Sequence, residues 1–132
     1  MIIIKETVLS IADNSGAYKV RCIGIPGKGA KKTAHVGDII TVTVISAEPF
    51  HAKAKVKKGD IFKAVIVTTK SPIRDQNGGM TSFSENSCVL LRRESNYKAI
   101  TIVGTRILTP ISSLLRKHLV FNSIVSIASQ VY

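Results

Sequence analysis

The chain has 132 residues, 45% of them hydrophobic, and 19 Lys and Arg against 8 Asp and Glu give it a net charge of +11. That length suits a single domain, and that apolar content excludes a disordered chain, which lacks the material for a core. A compact domain with this charge repels itself, so it points to a polyanionic partner, nucleic acid first and an anionic membrane second.

The predicted elements follow in chain order. The opening Met1-Ile2-Ile3-Ile4 is cut off by Lys5 and Glu6, too soon for a secretory signal. Residues 7–11 (Thr-Val-Leu-Ser-Ile) form the first expected strand. Residues 19–25 alternate, with Val20, Cys22 and Gly24 on one face and Lys19, Arg21 and Ile23 on the other. Residues 38–45 and 61–69 are long β-branched runs, and shorter strands are expected at 80–83, 88–91 and 105–108. No helical period survives between residues 7 and 91.

One motif occurs twice. Val36-Gly37-Asp38 leads into one strand and Lys58-Gly59-Asp60 into the next. Glycine permits a positive φ and aspartate bonds nearby backbone, so each pair reads as a tight strand-entry turn. Two such entries suggest sequential strands of a small closed barrel. After Pro110 the character changes. Ile111 to His118 is expected to be a short helix, with Arg116, Lys117 and His118 at its C-terminal end. Phe121, Ile124, Val125 and Ala128 make a second stripe at helical spacing, which also suits a strand. The longest apolar run, 119–128, is broken by Asn122, Ser123 and Ser126 and falls short of the ~20 residues a membrane helix needs.

Basic residues gather between strands. Lys28, Lys31 and Lys32 share a Gly-rich loop, Lys53, Lys55, Lys57 and Lys58 form a second cluster, and Arg92 and Arg93 a third. Lysines on loops suit phosphate oxygens, which ask for charge rather than fixed geometry. Lys19 and Arg21 lie on a strand, Lys70 follows one, and Arg74 and Arg106 sit on or beside strands, where a guanidinium fork is held more rigidly. These fourteen cations are the candidate RNA-binding set. The three Tyr and four Phe include no pair at alternate positions of one strand, the arrangement a single-strand reader uses to stack bases. The expected target is therefore the backbone and shape of folded RNA.

Catalytic chemistry is not visible. His35, His51 and His118 lack neighbouring carboxylates or metal-ligand spacing, and the acids are dispersed. Gly24-x-x-Gly27-Lys28-Gly29 lacks the spacing and the Ser or Thr of a phosphate loop. Cys22 and Cys88 lie in apolar runs and read as unlinked core thiols rather than zinc ligands. The expectation is no enzyme, no cofactor and no metal.

Several motifs together carry a resemblance. Ala12-Asp13-Asn14-Ser15-Gly16-Ala17, Val36-Gly37-Asp38-Ile39-Ile40 and Lys55-Val56-Lys57-Lys58-Gly59-Asp60 stand in order. Ala64-Val65-Ile66-Val67, Asn77-Gly78, Phe83, Asn86, Cys88-Val89-Leu90-Leu91 and Gly104-Thr105-Arg106-Ile107 follow, with Pro110 soon after. Across residues 7–117 the chain resembles the ribosomal large-subunit protein 14 family. The resemblance implies a mainly β fold: a five-stranded β-barrel over 1–109 with a basic hairpin, and a short helical segment over 110–132, in one domain. It implies binding to large-subunit rRNA at the intersubunit face, beside large-subunit proteins 19 and 3. It also implies a bridge to small-subunit rRNA and docking of the ribosome silencing factor. Tyr18-Lys19 after Ala17, the longer stretches 47–53 and 93–103, and an ending Ile127-Ala128-Ser129-Gln130 without proline depart from the family pattern.

Thirteen lysines against six arginines, and eighteen isoleucines, suggest an AT-rich genome and an organelle-encoded mitochondrial ribosomal protein, with chloroplast or bacterial cytoplasm as the alternative. The rival reading is a free RNA-binding barrel, a chaperone or initiation-type factor, which would show surface aromatics. A membrane-surface protein would need an amphipathic helix with a broader basic face than 111–128 offers.

Overall fold

The computed structural model of the chain describes residues 3–25, 33–47, 56–70, 73–74, 78, 80–81, 85–91, 102–103 and 107. The strands are β1 (Ile3–Ile4), β2 (Val8–Ile11), β3 (Ala17–Gly24), β4 (Thr33–Ala34) and β5 (Ile39–Ala47), then β6 (Ile61–Thr68), β7 (Ile73–Arg74), β8 (Met80–Thr81) and β9 (Ser87–Leu91). A closed five-stranded barrel runs β2-β3-β5-β6-β9, and β1 with β4 and β7 with β8 form two-stranded sheets. Neighbours in the barrel are antiparallel except at the closure, where β2 and β9 run parallel, Ser10 opposite Ser87 and Ile11 opposite Cys88. Closing the sheet leaves none of the five barrel strands with an unpaired edge.

The interior follows from alternation. Along β5, Ile40, Val42 and Val44 are buried while Ile39, Thr41, Thr43 and Ile45 are only partly so. Val20 and Cys22 of β3, Leu9 of β2, Ala64 and Ile66 of β6, and Cys88 and Leu90 of β9 complete the same cluster, which Ile3 and Ala34 join. Both cysteines are free and buried, and burial pushes both thiols above their ordinary range, that of Cys88 furthest.

One half of the wall is covered and the other open. Val65 and Val67 of β6 and Val89 and Leu91 of β9 point away from the interior by alternation, yet all are buried. Val103 donates its N–H to the Leu90 carbonyl (3.1 Å), and Ile102 and Ile107 bridge to Leu91 and Asp13. Chain beyond β9 therefore returns to this side. The outer faces of β2, β3, β5 and the start of β6 stay accessible.

The two Gly-Asp entries are the same turn. Asp38 N–H donates to the His35 carbonyl (3.0 Å) and Asp60 N–H to the Lys57 carbonyl (3.1 Å), with Gly37 and Gly59 at φ 90° and 91°. That is the type II pattern, which needs a positive φ at its third residue. Each Asp carboxylate accepts the N–H at the start of its own turn, His35 at 2.8 Å and Lys57 at 3.0 Å. Each turn then docks on the other's strand. Gly37 N–H donates to Ile66 C=O while Ile66 N–H donates to Asp38 C=O, and Gly59 and Asp60 do the same with Val44. The β5–β6 ladder thus has a local two-fold, centred on the Thr41–Lys63 pair.

The strand expectations at 7–11, 19–25, 38–45, 61–69 and 88–91 match β2, β3, β5, β6 and β9 within two residues at each end. Within 80–83 the described residues are Met80–Thr81, in β8, and within 105–108 only Ile107, which pairs as an isolated bridge. The expected helix at 111–118 and the stripe at 121–128 lie outside the described residues.

Candidate nucleic-acid interface

The open wall is organised in rows across the strands. Val8, Arg21, Thr43 and Ile61 stand side by side on β2, β3, β5 and β6. Thr41 and Lys63 form part of the next row toward one end, and Ser10, Lys19 and Ser46 a row toward the other. Lys19, Arg21 and Lys63 are exposed. Lys57 and Lys58 are exposed in the turn that enters β6, at the end of the barrel where β3 begins. At about 4.8 Å per strand spacing, that turn lies roughly 10 Å across β5 from Lys19.

The acids described only partly neutralise this surface. Asp38 and Asp60 are occupied as turn acceptors. Asp13 is 3% exposed. Glu6 reaches an open-wall cation, its Oε2 lying 3.9 Å from Arg21 Nε, and both side chains are well solvated. A pair that long and that exposed contributes little to stability. Glu6 also carries a φ of 77°, and its N–H donates to Cys22 C=O (2.7 Å), so the backbone bond holds the strained residue in place.

Of the fourteen expected cations, Lys19, Arg21, Lys57, Lys58 and Lys70 are exposed, and Lys70 N–H donates to Asn86 Oδ1 (2.9 Å). The backbone of Arg74 lies in β7, where it pairs with Met80. Lys28, Lys31, Lys32, Lys53, Lys55, Arg92, Arg93 and Arg106 lie outside the described residues. Lys63 was not in the expected set. Its signal was the alternation Ile61-Phe62-Lys63 inside a run otherwise read for its apolar content.

Asp13 is the one buried ionisable carboxylate described. Oδ1 accepts Ser15 N–H (3.1 Å), closing an Asx turn between β2 and β3. Its Oδ2 and Ser15 Oγ have no hydrogen-bond partner among the described residues. Desolvation raises its pKa above the ordinary 3.8, offset only in part by Ser15 and by the backbone N–H groups of Leu90 and of Asp13 itself. The folded carboxyl titrates above the unfolded one, so its contribution to stability is complete below pH 3.8 and falls as pH rises through the folded value. Asp13→Asn keeps the acceptor for Ser15 and removes the charge. It should be more stable than the wild type at pH 7, with the advantage shrinking on acidification toward pH 4. Paired thermal melts across pH give the answer, and a variant that is weaker at pH 7 and recovers in acid would reverse the assignment.

The family model for ribosomal protein L14p/L23e matches residues 2–132.

Proposed function

The chain belongs to the ribosomal protein L14p/L23e family, and from that premise we propose that it holds large-subunit rRNA on the open wall of its barrel, at the face turned toward the small subunit. As a protein of the ribosome it has ribosomal RNA and ribosomal proteins as partners, and the family is structural rather than enzymatic. The observation that carries the finer reading is the asymmetry of the wall. Its covered half is apolar on both faces, while its accessible half presents Lys19, Arg21 and Lys63, with Lys57 and Lys58 at its end and the nearby acids engaged. Such a surface binds phosphate oxygens by charge and leaves sequence largely unread.

The proposed neighbours are large-subunit proteins 19 and 3, small-subunit rRNA at an intersubunit bridge, and the ribosome silencing factor. The proposed compartment is a mitochondrial ribosome, on the lysine and isoleucine bias together with the departures from the family pattern.

The test is binding of the purified protein to a transcript of its own large-subunit rRNA across a salt series. Removing one phosphate interaction flattens the log–log slope by about 0.7–0.9. Replacing Lys19, Arg21 and Lys63 together by Ala should flatten it by about two to three units, with folding retained because the three side chains are exposed. The Lys28, Lys31 and Lys32 triple variant should do likewise if that loop shares the phosphate-binding surface. Wild-type slopes in both variants would move RNA off this wall.

A further inference from the structure

We propose that Tyr18 is a stacking platform for one unpaired rRNA base, with Lys19 beside it and the Lys57–Lys58 turn across β5 holding the adjoining phosphates. This rests on the RNA-binding reading above and names a subsite within it.

The backbone makes the case first. Ala17 is buried and, in a regular strand, Tyr18 would face out, Lys19 in and Val20 out. Instead the β3–β5 register shifts between Ala17 and Lys19 and again between Lys19 and Val20. Tyr18 and Lys19 are consecutively exposed and Val20 returns to the interior. A bulge costs ladder pairing, and bulges recur where a side chain has to be re-aimed. Here the residue turned outward is Lys19, and the extra residue inserted between the Ala17–Ala47 and Lys19–Ser46 partners is an aromatic, Tyr18.

Its surroundings suit a base. Tyr18 is 53% exposed and is the one aromatic among the exposed large hydrophobic residues described, the others being Ile4, Val8 and Ile61. The outward neighbours across the adjacent strands are short, Ser10 on β2 and Ser46 on β5 flanking Lys19. Short side chains leave the ring accessible from the solvent side. The charges nearest along the strand are Lys19 and Arg21, both cationic. A π face among cations is the combination that single-stranded nucleic acid finds on its readers, where stacking tolerates any base and the cations take the backbone. A protein partner would instead favour the row of Val8, Thr43 and Ile61, two residues further along, where Arg21 lies against Glu6.

Stacking and charge separate in one salt series, using a transcript of the organism's own large-subunit rRNA and random-sequence duplex RNA as probes. Tyr18→Ala should weaken transcript binding about 5- to 150-fold, the range expected for one stacked base. Its salt slope should stay at the wild-type value, because every phosphate interaction is kept. Tyr18→Phe should bind like the wild type, and Tyr18→Leu, which keeps side-chain bulk, like Tyr18→Ala. Lys19→Ala should flatten the slope by about one unit. Duplex RNA should not distinguish Tyr18→Ala from the wild type. Three results each overturn the proposal: wild-type affinity in Tyr18→Ala, a flattened slope in that variant, or Tyr18→Phe as weak as Tyr18→Ala; the first of these together with failed incorporation into the large subunit would assign Tyr18 to a protein neighbour. If the wild type itself binds neither probe, the RNA-binding reading falls with it.

Discussion

Leu90→Ala should lower the unfolding free energy by about 2–5 kcal/mol, the range for deleting a fully buried leucine side chain. Leu90 has no exposed surface and lies in the barrel core, opposite Ala64 on β6. Ala64 is too small to fill the void, and the closed wall around it cannot collapse without shearing the ladder. Against a typical total of about 5–15 kcal/mol, such a loss approaches the threshold of folding at 37 °C. Val8→Ala on the open wall is the control. Val8 is 43% exposed, so its truncation should cost well under 1 kcal/mol. Chemical denaturation of the two variants side by side decides it. Comparable costs would mean that the interior and exterior of the barrel have been assigned the wrong way round.

Gly37→Val and Gly59→Val should each cost about 1–2 kcal/mol or more, and roughly 3–8 °C in melting temperature. Both glycines sit near φ 90°, where a β-branched residue is strained. At Gly59 an added Cβ would meet nothing within 4 Å, so the cost there is conformational rather than a clash. Asn, which tolerates the left-handed region, should be milder than Val at both positions. The turns dock on different strands and share no backbone hydrogen-bond partner among the described residues, so the double variant should lose close to the sum. Unchanged melting temperatures in both single variants would dispose of the turn assignment.

Much of the barrel was legible because its strands obey simple chemistry. Ile40, Val42 and Val44 alternate with threonines, and that pattern fits one buried face and one solvated face. The runs Ala64–Val67 and Cys88–Leu91 are apolar without a break, the mark of a strand covered on both sides. What covers them was not legible, because the covering residues come from distant chain. Ile3 and Ile4 show the same limit. They are identical residues in sequence, yet one is fully buried and the other 52% exposed, and only the pairing of β1 with β4 makes the difference. The bulge at Tyr18 carries no glycine or proline to announce it. Glu6 likewise occupies a conformation that nothing about glutamate predicts.

The candidate site was legible as composition rather than as place. Lysine clusters between strands pointed to phosphate. Which cations share a face depends on register, and register is what brought Lys63 onto the same outer face as Lys19 and Arg21 while leaving Lys70 beyond the end of β6 beside Asn86.

The parallel pairing of β2 with β9 has a kinetic consequence. β2, β3, β5 and β6 follow one another as antiparallel neighbours and can zip in chain order, but the wall stays open until Ser87 and Cys88 reach Ser10 and Ile11. That pairing spans most of the chain between the two strands, so its loop-closure entropy falls late in folding. During synthesis, β2 therefore waits as an unsatisfied edge, Val8 and Leu9 included, until the tunnel has released β9. Early termination before Ser87 should leave a four-stranded sheet with two sticky margins, prone to self-association, whereas a chain ending just beyond Leu91 already has every strand needed to complete the ring.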